Sequence, residues 1–140
     1  MIILDTNVVS EPLKPLPHPG VVDWLNAQAP SSLFITSINL AELLAGVETL
    51  PPGKRRDALA LALTSQVTAL FENRVLHFDT RAAQSFAACL AGAQAKGNTI
   101  GFADCAIAAI AKNKGFIVAT RNVRDFLGIG VQIINPWALN

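Results

Sequence analysis

Five short apolar runs punctuate this chain: Ile2–Leu4, Leu33–Thr36, Val75–Phe78, Phe116–Ala119 and Val131–Ile134. None alternates apolar with polar residues, as a strand with one wet face would. Unbroken apolar strands belong to parallel sheets covered on both sides. The stretches between them carry helical patterns. Pro19 opens one that runs through Ala29, Ser37 caps one running to Val47, and Arg55–Phe71, Thr80–Lys96 and Gly101–Lys114 complete the set. Strand and helix alternate along the whole length. This predicts an α/β fold of three layers, a central parallel sheet of about five strands flanked by helices.

The 140 residues suit one domain spanning positions 1–140, with no internal repeat and no boundary. Half the residues are apolar and 15% are charged, which argues against disorder. Net charge is only +1, so any contact with a polyanion must come from local patches or a bound cation. The N-terminal run meets Asp5 after three apolar residues and has no basic flank, so it reads as a strand and not as a signal peptide. The longest apolar stretch, Phe102–Ala111, is broken by Asp104 and falls short of the roughly 20 residues a membrane span needs. A cytoplasmic protein without membrane association is expected, with Cys89 and Cys105 as buried free thiols. Prolines at 12, 15, 17 and 19 exclude a continuous helix there, leaving a loop that either closes over something or is merely tolerated at the surface.

In open α/β sheets, ligands bind beyond the carboxyl ends of the strands. Here those ends deliver Asp5-Thr6-Asn7, Thr36-Ser37 and Thr120-Arg121-Asn122, polar groups following apolar strands. Most of the ten acids have plain explanations: Asp79 suits an N-cap, and Asp23, Glu48, Asp57 and Glu72 suit solvated surfaces. Three are harder to dismiss. Asp5 ends a buried strand, where an Asx-turn or N-cap competes with a catalytic role. Glu42 lies in the first turns of a helix with little polar face, and a surface role weighs evenly against a functional one. Asp104 sits in Gly101-Phe102-Ala103-Asp104-Cys105-Ala106-Ile107, a helix apolar on nearly every side and therefore buried. A carboxylate there is costly unless paired or bound to a metal, although the helix N-terminus offers it some compensation.

Three carboxylates brought to one edge would resist ionising together. A hard divalent cation reverses that penalty, and Mg²⁺ and Mn²⁺ favour oxygen ligands. The residue types therefore point to metal-assisted phosphodiester hydrolysis. His18 and His77 stand alone, and no zinc spacing, P-loop, Ser-His-Asp order or GxGxxG is present.

Asp5-Thr6-Asn7 after an apolar strand, Glu42 in an Ala-Glu-Leu helix, Asp104 in Ala-Asp-Cys-Ala-Ile-Ala, and Thr120-Arg121-Asn122 after a later strand together resemble the motif series of PIN-domain ribonucleases. Their order and full-length coverage resemble VapC-type toxins of toxin–antitoxin systems. The opening Asp5–Leu13 and the closing Asn135-Pro136-Trp137 resemble the FitB-like subgroup. The resemblance implies an RNA endonuclease dependent on Mg²⁺ or Mn²⁺. It also implies a homodimer, held in a larger assembly by a small DNA-binding antitoxin whose C-terminal segment occupies the active-site groove. Asp5, Glu42 and Asp104 would take the metal-binding positions, with Thr6 or Asn7 supporting Asp5 and Thr120 holding the metal's water shell. The fourth position, often Asp in the family, is Asn122 here, which brings no charge. Asp125 is a possible substitute, but it also suits the first turn of a short helix, the role favoured for it, while Asn122 stays open between a site role and a cap.

Arg121 and Arg124, beside the acidic edge, are candidates to meet phosphate or an antitoxin carboxylate. Lys54-Arg55-Arg56 opens a helix, an awkward place for cations, yet a solvated charge run explains it well enough. Two other functions compete: a phospho-acceptor domain, disfavoured because the first-strand acid stands alone and Arg121 replaces the expected Lys, and a catalytically weak PIN module acting through antitoxin binding on operator DNA.

Overall fold

The computed structural model describes residues 1–139. Five strands, β1 (Ile2–Leu4), β2 (Leu33–Thr36), β3 (Val75–Leu76), β4 (Ile117–Ala119) and β5 (Ile133–Ile134), form one sheet in the order β3-β2-β1-β4-β5. Every pairing is parallel. Around it run α1 (Thr6–Ser10), α2 (Pro19–Ala27), α3 (Ser37–Glu48), α4 (Lys54–Phe71), α5 (Thr80–Ala95) and α6 (Phe102–Lys114). The expected α/β architecture is borne out. Strands β3 and β5 are shorter than the apolar runs suggested, because edge strands have one neighbour and their outer residues find no ladder partner.

The apolar strands are apolar because both faces are covered. Ile3 and Val118 pack with Ala82, Cys89, Cys105 and Ile107 from α5 and α6. Ile2, Leu4 and Ala119, pointing the other way, pack with Val8, Leu43, Leu63 and Phe71 from α1, α3 and α4. Adjacent strand residues thus serve different cores, as the two-residue repeat of a strand requires. Helix α6 is the most enclosed element, buried without interruption from Cys105 to Ala111. It ends at Gly115, whose φ of 69° is the left-handed C-cap that glycine adopts without a Cβ clash. Both cysteines are free and buried.

Two local expectations need correction. The N-cap of α3 is Thr36, not Ser37: the Thr36 hydroxyl accepts from the Asn39 backbone N–H at 3.1 Å, and the Asn39 side chain accepts from the Thr36 N–H at 2.9 Å. Ser37 instead accepts from the Phe78 N–H, tying α3 to the segment that follows β3. The proline-rich stretch is not loop throughout, since Glu11–Leu13 form a 3-10 turn. Asp79 does cap α5, accepting from Ala82 N–H at 2.9 Å.

Candidate active site

Strand order reverses at β1, which has β2 on one side and β4 on the other. Connections leave in opposite directions at such a point, opening a crevice beyond the carboxyl ends. Asp5 follows β1 there. It continues the ladder through its own N–H, donated to Ala119 O at 2.9 Å, and its side chain is only 3% exposed. Such a carboxylate needs donors, and it has three: Thr6 N–H at 2.8 Å and Asn39 Nδ2 at 3.3 Å on Oδ1, and Thr120 Oγ1 at 2.7 Å on Oδ2. Thr36, Asn39 and Thr120 are fully buried, so this edge is a wired polar floor under an apolar sheet.

The sequence-derived acids gather at this floor. Glu42 stands exposed on α3, and Thr6 donates to its Oε1 at 2.8 Å. Asp104 occupies the first turn of α6, partly buried above the core. Asp125 is in the 3-10 turn Val123–Phe126. It takes the first-turn place expected of it, and its carboxyl stands near enough to Asp104 to raise that group's pKa. Burial pushes the Asp104 carboxyl up to about 7, and the charges of Asp5, Asp125 and Glu42 push the same way. Burial likewise raises Asp5, against the pull of its Thr120 and Thr6 hydrogen bonds, with the Asp125 charge adding to the rise.

The supporting residues divide. Thr6 serves both Asp5 and Glu42, whereas Asn7 holds the neighbouring loop by accepting from Arg121 N–H at 3.3 Å. Asn122 is exposed, makes no side-chain cap, and donates its backbone N–H to Thr120 Oγ1 at 3.0 Å. Arg121 lies over the Trp137 ring, 5.3 Å from its centre, and Arg124 is exposed. Arg56 is tied to Glu48 at 2.8 Å. Arg55 faces a cleft of about 330 Å³ that Thr6, Glu42, Leu13 and Leu59 also line. A larger cleft of about 530 Å³, between α2 and α4, is lined by none of the acids.

Two residues escaped sequence reasoning. Asn39 looks like a helix-surface amide until the fold turns it inward. Glu11 is buried, accepting from His18 N–H at 3.1 Å and pairing with Lys14 at 2.8 Å. The Lys14 contact holds its carboxyl below the usual range. Its i,i+3 spacing to Lys14 was the one available signal.

Do these residues suit a divalent cation? Among the described residues the ion pairs are Lys14–Glu11 and Arg56–Glu48, so none of the four clustered acids has a basic partner. All donors are oxygen. No three acidic, histidine or cysteine side chains among the described residues already close a metal cage. That set fits a hard ion which keeps several waters, as Mg²⁺ does.

Known proteins resemble this chain along its whole length. The chain is 44% identical over 137 residues to the VapC ribonuclease Y4jK of Sinorhizobium fredii, covering 98% of both chains. It is 40% identical to Toxin FitB of Neisseria gonorrhoeae, covering 98% of this chain and 99% of the other. The structure of FitAB bound to an IR36 DNA fragment superposes with a TM-score of 0.95 at 38% identity, covering all of this chain and 98% of that one. The family model described as PIN domain matches residues 2–130, and the chain belongs to the PIN-domain family.

Proposed function

We propose that this chain is a metal-dependent endoribonuclease, the toxin of a toxin–antitoxin pair. The observation that carries the reading is the meeting of Asp5, Glu42, Asp104 and Asp125 at the strand switch point without a basic partner. Its full-length likeness to a VapC ribonuclease and to Toxin FitB supports RNA as substrate.

In this reading Asp5, Glu42 and Asp104 hold Mg²⁺ or Mn²⁺, with Asp125 supplying the fourth acid that Asn122 cannot. The ion, when bound, polarises the scissile phosphate and lowers the pKa of an attacking water. The chain's own part is orientation. Thr120 and Thr6 hold Asp5, Thr6 also holds Glu42, and the buried α6 places Asp104 firmly. Asp104, held up to about 7 by burial and its acidic neighbours, would be a ligand for the ion. Arg121 and Arg124 stand at the rim, where they meet phosphate or an antitoxin carboxylate, and Arg55 faces the cleft beside Glu42.

The cleft of about 330 Å³ takes the C-terminal segment of a small DNA-binding antitoxin. The DNA-bound FitAB complex supports such a partner, and the same reading includes a homodimeric toxin within a larger assembly. No helix among the described residues is long and apolar enough to cross a membrane, and RNA as target places the activity in the cytoplasm. A catalytically weak module acting mainly through antitoxin binding on operator DNA drew its support from the missing acid at position 122, and the nearness of Asp125 to Asp104 weakens that case.

The test is cleavage of total RNA by purified protein. Cutting should require Mg²⁺ or Mn²⁺, stop with chelator and stop in Asp104→Asn, and expression should arrest growth unless the antitoxin is supplied. Cutting by Asp104→Asn at the wild-type rate would overturn the assignment.

A further inference from the structure

We propose that Asn39 is a positioning residue that sets two of the site's acids through one buried carboxamide. The inference rests on the reading of Asp5, Glu42 and Asp104 as a divalent-cation site.

Asn39 is 0% exposed, and an amide that deep is costly unless fully bonded. Every position is used. Its Oδ1 accepts from Thr36 N–H at 2.9 Å and from Thr36 Oγ1 at 2.6 Å. Its Nδ2 donates to Asp5 Oδ1 and to Thr6 Oγ1, each at 3.3 Å. The helix cap needs only the oxygen end. The nitrogen end is spent on the site.

A planar amide anchored at its oxygen end leaves its two N–H directions fixed. One supports Asp5 directly. The other occupies a lone pair of the Thr6 hydroxyl, which turns that group's single proton toward Glu42 Oε1 at 2.8 Å. The chain Asn39 → Thr6 → Glu42 therefore has one direction, because a carboxylate can only accept. On Asp5, a carboxylate with about four lone-pair sites, the three donors leave one open, on Oδ2. Asn39 thereby links the end of β2 to the acids of β1 and α3 and leaves Asp5 a single free direction for a cation.

Partners behind metal ligands are worth roughly 10–100-fold in metal affinity. The experiment measures Mn²⁺ binding from the free-ion electron paramagnetic resonance signal, alongside metal-free melting temperatures. Asn39→Ser and Thr6→Val should each weaken Mn²⁺ binding about 10-fold or more in folded protein. Thr6→Val leaves the Thr36–Asn39 cap intact, so it keeps the test decisive if Asn39→Ser does not fold. A purely structural Asn39 would lower the melting temperature and leave affinity unchanged in any folded Asn39 variant; that result, or unchanged affinity in Thr6→Val, overturns the proposal. If wild type bound no Mn²⁺, or Asp104→Asn bound it equally well, the cation-site reading would fall, and the positioning role with it.

Discussion

The two sides of the acidic crevice are built on opposite principles. On the β1–α3 side, Asp5 is almost wholly buried yet surrounded by donors from Thr6, Asn39 and Thr120. On the α6 side, Asp104 is less buried, and what it meets is acid: Asp5, Asp125 and Glu42. Burial dominates both carboxyls, but only Asp5 has hydrogen bonds that offset it. The first side is finished by the protein. The second is left in debt to a cation, and that division separates orientation from binding.

The comparison breaks most visibly at Asp104. Asp104→Asn should reduce RNA cleavage by about 10²–10³-fold, the scale of one lost electrostatic stabiliser. The same change should raise the metal-free melting temperature at pH 8, since it removes an unfavourable charge. A loss of both activity and stability would mean that Asp104 is an ordinary structural acid.

On the Asp5 side the expected sign is opposite. Thr120→Val strands Asp5 Oδ2 and the Asn122 N–H together. Stranding a buried polar group costs about 1–3 kcal/mol, read as a lower denaturant midpoint. An unchanged midpoint would show that the Asp5 hydrogen bonds hold nothing in place.

A pH titration sharpens the contrast. The Asp104 carboxyl sits near 7 folded against an ordinary 3.8. A raised acid contributes stability that is complete below the unfolded pKa and is lost as pH rises through the folded one. Metal-free protein should therefore become less stable between about pH 4 and pH 7, and Mn²⁺ should flatten the curve. A slope unaffected by Mn²⁺ would place the raised acid elsewhere. Asp125→Asn should give a milder version, moving the transition to lower pH by removing one repelling neighbour. Smallest of all, Arg121→Ala should cost about 0.5–1 kcal/mol, the value of an exposed cation–aromatic contact.

Much of this was legible beforehand, for identifiable reasons. Unbroken apolar strands announce a sheet covered on both faces, and an acid in a helix as apolar as α6 announces a cost that something must meet. Hydrogen-bond wiring was not legible. Asn39 and Glu42 share a helix three residues apart, yet one is buried and the other exposed, a distinction set by how α3 packs against α1, α6 and β2 and not by residue type. Asp125 was read as a first-turn acid, which its position satisfies, because spacing gives no hint that the turn folds back onto Asp104. Glu11 passed unnoticed since its partners, Lys14 and the His18 amide, are brought to it by the turn that the prolines impose.

The most direct test is a crystal soaked in Mn²⁺ and measured at the manganese absorption edge. The account predicts an anomalous peak between Asp5 and Asp104, within reach of Glu42, that disappears in Asp104→Asn. A well-diffracting crystal with no such peak, or with manganese bound only away from the strand switch point, would contradict it.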